Sequence, residues 1–136
     1  MKGMTKSKLE LVVMSETLAV CRLDEDDPIP DWVSRGGFFS ITRTREELSA
    51  VCPQNQVPAG IKREEGWKGI KVEGPLDFSL TGILASLTAP LAQEGISVFA
   101  ISTYDTDYLL VKEENLERAI EILVKTGNRI QRSRAE

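Results

Sequence analysis

The chain has 136 residues, a net charge of −4 and a pI near 5.0. Hydrophobic residues supply 41% and charged residues 28%, the balance of one folded domain, or of two small ones sharing a core, and not of a disordered chain. The mild acidity argues against nucleic acid or an anionic membrane surface as partner. The absence of histidine removes His-based triads, His acid–base catalysis and His metal ligation.

Residues 1–8 are basic, but the apolar run behind them, 9–14, is short and Ser15 and Glu16 interrupt it, so no signal core is expected. No run approaches the about 20 apolar residues of a membrane span. A cytoplasmic location follows by elimination. Residues 9–14 and 17–23 read as two strands joined by a tight link at Ser15 and Glu16. Cys21 lies in the second of these apolar runs and Cys52 is far from it, which is neither a disulfide framework nor a pair of CxxC half-sites; a buried, reduced Cys21 is expected. The acidic stretch 24–30 is a solvated loop, lacking the ligand spacing and glycine of an EF-hand, so no metal is expected there. Residues 31–34 suit one helical turn before Gly36 and Gly37, which lack the lysine of a phosphate loop. Residues 38–43 form a third predicted strand. Thr44 and Glu47 have the spacing of a capping box and predict a short helix with Leu48 and Val51 on its apolar side.

The second half is more regular. Residues 67–72 predict a strand anchored by Trp67. Leu80, Ile83, Leu84, Leu87 and Leu91 predict a helix over 80–94, with Ser79 as N-cap, Pro90 as an irregularity and Gly95 as its end. Residues 96–103 predict a strand covered on both faces, 105–106 a turn, and 108–111 a returning strand. A second helix over 114–126 turns Leu116, Ala119, Ile120 and Leu123 inward. Glu114 with Arg118 and Glu121 with Lys125 are spaced for ion pairs on its outer side, and Gly127 stands at the usual C′ position. Room remains for a strand at 129–131 before an arginine-bearing tail expected to fray. The fold class is therefore α+β: a ferredoxin-like βαββαβ unit, an antiparallel sheet with helices on one face. The first half is a looser version. The predicted division is a degenerate half over 1–65, a complete unit over 66–131 and a tail over 132–136.

Gly82-Ile83-Leu84, with Leu87 and Leu91 following and then Gly95-Ile96, resembles the ACT domain. The strings 75–84 and 101–111 look like those of small bacterial tandem-ACT proteins, which in turn resemble the ACT modules of the animal cytosolic arginine sensors. The resemblance covers residues 67 to about 130. It implies a regulatory protein; an enzyme with carboxylate or thiol chemistry ranks last, since histidine and any nucleophile motif are missing, and no cofactor is expected. It implies a small-molecule ligand, commonly an amino acid, held between ACT units, and hence a homodimer or higher homo-oligomer. The first half departs from the family, since no leading helix motif is recognisable there. The alternative is a protein-interaction or dimerisation module that kept the fold and lost the site.

An amino acid needs donors for its carboxylate and acceptors for its ammonium group. Asp77, Phe78, Ser79, Leu80, Thr81 and Gly82 lead into a helix start, where free N–H groups and the dipole favour a carboxylate. Gly82 allows close approach of a ligand, or merely of helix to sheet. Ser79 and Thr81 suit ligand contact or helix capping, and Asp77 suits an ammonium acceptor or a plain loop residue. Asp105 and Asp107 are candidate acceptors, with turn chemistry as the competing reading for Asp107. Thr103 and Tyr104 stand at a strand end where a pocket wall is plausible; Tyr104 equally suits a packed aromatic with its hydroxyl in water.

Overall fold

The computed structural model describes residues 9–74 and 82–133. Its strands are β1 (Glu10–Leu23), β2 (Ser40–Arg43), β3 (Leu48–Pro53), β4 (Lys62–Val72), β5 (Phe99–Ser102), β6 (Asp107–Lys112) and β7 (Arg129–Arg132); its helices are α1 (Ile83–Gln93) and α2 (Leu116–Lys125). Two compact units divide the chain. The larger takes the described residues up to Ser15 and from Lys68 onward; the smaller is Glu16–Trp67.

In the larger unit the strands lie in the order β7-β1-β4-β6-β5. A four-stranded ferredoxin-like sheet would pair β4 with β7. Here β1 stands between them and pairs with β7 in parallel, Leu11 opposite Ile130. The division expected after residue 65 thus differs from the compact units in where residues up to Ser15 belong. Leu11, Val13, Ile70, Val72, Leu109 and Val111 turn one face of this sheet into a core with Leu87 and Leu91 of α1 and Leu116, Ala119 and Leu123 of α2. Of the stripes predicted for the two helices, Leu87, Leu91, Leu116, Ala119 and Leu123 are buried, Ile83, Leu84 and Ile120 are half-buried, and Leu80 lies outside the described residues. Each helix ends in a Schellman motif. The amides of Ile96 and Asn128 donate to the Leu91 and Leu123 carbonyls (3.0 and 3.2 Å), and those of Gly95 and Gly127 to the Ala92 and Val124 carbonyls (both 3.0 Å). Gly95 and Gly127 have φ of 77° and 105°, which only glycine adopts at little cost.

The smaller unit has the order β2-β3-β1-β4 and no α-helix among its described residues. Val33, from a 3₁₀ turn over Asp31–Ser34, packs on Ala50 and Cys52.

Four local expectations are corrected. Residues 9–23 form one strand, because a two-residue hairpin needs left-handed backbone that Ser15 and Glu16 supply poorly; no described non-glycine residue has positive φ. The segment after Thr44 is strand β3, not a helix. The Thr44 hydroxyl accepts from the amides of Glu46 and Glu47 (3.1 and 3.2 Å), and the Thr44 amide donates to the Glu47 carbonyl (2.9 Å), which closes the β2–β3 hairpin. β5 is an edge strand whose Ala100 and Ser102 are exposed, not a strand covered on both faces. Arg118 bonds the carbonyl of Glu94 at the end of α1 (2.8 Å), while Arg129 and Arg132 pair with Glu10 and Glu117 (2.8 and 2.7 Å), so the final arginines to Arg132 belong to a strand.

Leu87 is fully buried between helix and sheet. Leu87→Ala is expected to lower unfolding free energy by about 2–5 kcal/mol in urea titration, whereas Glu121→Ala on the exposed side of α2 shifts it by no more than about 0.5 kcal/mol.

Candidate ligand-binding site

The candidate residues 77–82 follow β4 in the chain. Val72 ends that strand, and the chain then runs to Gly82 and α1. Asp77, Phe78, Ser79, Leu80 and Thr81 lie outside the described residues. Gly82 is the N-cap of α1, with φ 78° and ψ 2°, so the cap is this glycine and not Ser79. Having no side chain, Gly82 offers no acceptor to the first-turn amides of α1. Among the described residues, a Cβ built on Gly82 would meet nothing within 4 Å. The left-handed backbone calls for glycine here, and no described residue crowds the position.

Thr103, Tyr104 and Asp105 are brought together in the turn between β5 and β6. The Thr103 amide donates to the Thr106 carbonyl (2.8 Å), and the Thr106 amide donates to the Thr103 hydroxyl oxygen (3.2 Å). This is the same threonine device that closes the β2–β3 hairpin. Tyr104 is 81% exposed, so it is not a packed aromatic, and Asp105 is exposed at the same tip. Asp107 accepts from the Ser102 hydroxyl across the β5–β6 pair (2.5 Å), which matches the turn-chemistry reading of that carboxylate.

Thr106 joins the site although its residue type and position gave little sign of it. It is the buried polar residue of the described chain, 7% exposed, and its hydroxyl donates to the Val72 carbonyl. The turn bearing Tyr104 and Asp105 is thereby tied to the residue from which the chain departs toward Gly82. The only sequence signal was Thr103-x-x-Thr106, the spacing of a threonine-closed turn.

Residues 62–125 match the model of the ACT domain family, and a second family model, of an N-terminal domain, matches residues 16–60. Residues 62–125 belong to the ACT-domain family. It is 40% identical over 94 residues to the human protein named cytosolic arginine sensor for mTORC1 subunit 1, a match spanning 63% of this chain and 29% of that one. The chain thus spans less than a third of the length of that relative. A solved structure from Agrobacterium tumefaciens is 35% identical, covers 96% of this chain and 98% of its own, and superposes with a TM-score of 0.91. The regulatory subunit of aspartate kinase from Thermus flavus, 10% identical, shares the fold with a TM-score of 0.61 over 89% of this chain and 99% of its own.

Other reactive groups are placed away from solvent. Among the described residues no three His, Cys, Asp or Glu side chains gather as metal ligands. Cys21 and Cys52 are both free thiols and both buried. They lie on adjacent antiparallel strands, Cys21 opposite Ala50 and Cys52 opposite Ala19. A hydrogen bond from the Cys52 thiol lowers the pKa of Cys21 against the opposing effect of burial, while that same bond and burial push Cys52 well above the ordinary thiol range. An accessible thiolate nucleophile needs exposure that neither residue has. Ellman's reagent at neutral pH is expected to leave both thiols untouched in the folded protein and to titrate both in guanidinium chloride; rapid labelling before unfolding would contradict the burial.

Proposed function

We propose that this chain is a regulatory, non-catalytic protein that binds a free amino acid at an ACT site and acts from the cytoplasm, as a homodimer or higher homo-oligomer. The observation that carries the reading is the start of α1 at Gly82, which no described residue crowds or caps with a side chain, in a chain whose exposed turn 103–105 is anchored to the strand leading there. First-turn amides and the helix dipole suit a carboxylate, and Asp105 with Asp77 would serve an ammonium group. Phe78, Ser79, Leu80, Thr81, Thr103 and Tyr104 complete the proposed contact set. The names of the human arginine sensor and of the aspartate kinase regulatory subunit support an amino acid as ligand class and regulation as the role. The tandem organisation, a degenerate ACT-like half over 1–65 and an ACT domain over 66–131, is proposed on the two consecutive family matches.

Binding acts by differential affinity for two states of the protein or of its assembly. Melting curves recorded with each of the twenty amino acids at millimolar concentration test it. An amino acid at a hundred times its dissociation constant should add about 2.7 kcal/mol of stability. A flat panel rejects the sensor reading in favour of an interaction module. Gly82→Asn keeps a residue that tolerates left-handed backbone while adding a side chain there, and is expected to remove the shift with the fold intact. An undiminished shift in that variant would move the site away from α1.

A further inference from the structure

We propose that Thr106 is a positioning residue for this site, its hydroxyl holding the 103–105 rim in register with the exit of β4. The proposal rests on the amino-acid site proposed above. Thr106 immediately precedes β6, yet its side chain bonds Val72, a residue far away in sequence. Every polar group of Thr106 has a structural task. Its amide and carbonyl close the turn through Thr103, and its hydroxyl fastens the turn to β4. The first two bonds shape the turn; the third adds a side-chain tie to β4 where the pairing of β6 with β4 begins, and so sets how firmly the turn is held against the strand that feeds Gly82.

Burial gives the third bond its force. At 7% exposure, water cannot readily replace a lost donor at the Val72 carbonyl, so removing the hydroxyl loosens the rim at the point where β6 leaves β4 instead of exchanging one partner for another. A residue needed only to close the turn could use its backbone and leave its side chain in solvent. Here Tyr104 and Asp105 face out at the tip while Thr106 turns in. A ligand bridging the turn and the start of α1 needs those two parts at a set spacing, because misplacement of one contact by a fraction of an ångström forfeits much of its binding.

Isothermal titration of the full chain with each of the twenty L-amino acids tests the assignment. Thr106→Val keeps shape and β-branching but has no donor, and is expected to bind about tenfold more weakly than the native chain. Thr106→Ser restores the hydroxyl and should recover most of the affinity. Leu123→Val, a core change in α2, should lower the melting temperature while leaving the dissociation constant alone, separating positioning from stability. If Thr106→Val does not fold, Thr106→Ala is read by the same criteria. Unchanged affinity in the folded variant overturns the role of Thr106 while the site stands; a native chain that takes up none of the twenty overturns the site and the role together.

Discussion

The pairing of β1 is the constraint on which both compact units depend. Its first residues, 10–13, run parallel to β7, and its last, 18–23, run antiparallel to β3. Leu11 and Val13 enter the core of the larger unit, and Leu18, Ala19 and Cys21 are buried in the smaller one. A slip of one residue would turn each of these side chains to the opposite face. The alternation of Leu11 and Val13 with the less buried Val12 and Met14 specifies the register in the larger unit. Because β1 fills the place beside β4, β7 closes the sheet against β1, and α2, which precedes β7, is held over a face that β1 helps to form.

The helices were legible because their signals are local and redundant. Leucine spacing, the glycines at Gly95 and Gly127 and the polar outer side of α2 agree on the same two elements. The strands were less legible where a polar pair sits mid-strand. Ser15 and Glu16 looked like a link because they interrupt an apolar run, but strand pairing along β1 overrides that local polarity. Thr44 with Glu47 misled for a different reason. A threonine hydroxyl accepting amides two and three residues ahead serves a helix start and a hairpin turn equally, and the period of the next apolar residues decides between them. Here Leu48 and every residue from Ala50 to Pro53 are buried, the short continuous apolar run of a strand covered on both faces.

The candidate site divided along similar lines. The turn at 103–106 and the glycine opening α1 were both readable, since turn residues and helix punctuation have compositional signatures. The reason for Gly82 was not: two uses of glycine compete in sequence, and the backbone angle supplies a reason of its own. Thr106 was readable as a turn residue and not as a tie to β4. Its bond to Val72 joins residues distant along the chain, and a hydroxyl next to two aspartates looks like one more solvated turn residue.

The parallel match of β1 with β7 also orders events in time. Glu10 and Arg129 are joined by an ion pair across 119 positions of chain. On the ribosome β1 emerges early, and its apolar residues must wait until the end of α2 and then β7 have been made. During that interval β3 and β4 can pair with it, while the flank reserved for β7 stays open. Closing so long a loop comes late and slowly, so the larger unit, although it contains the better helices, cannot be completed until β7 is made, after every strand of the smaller unit.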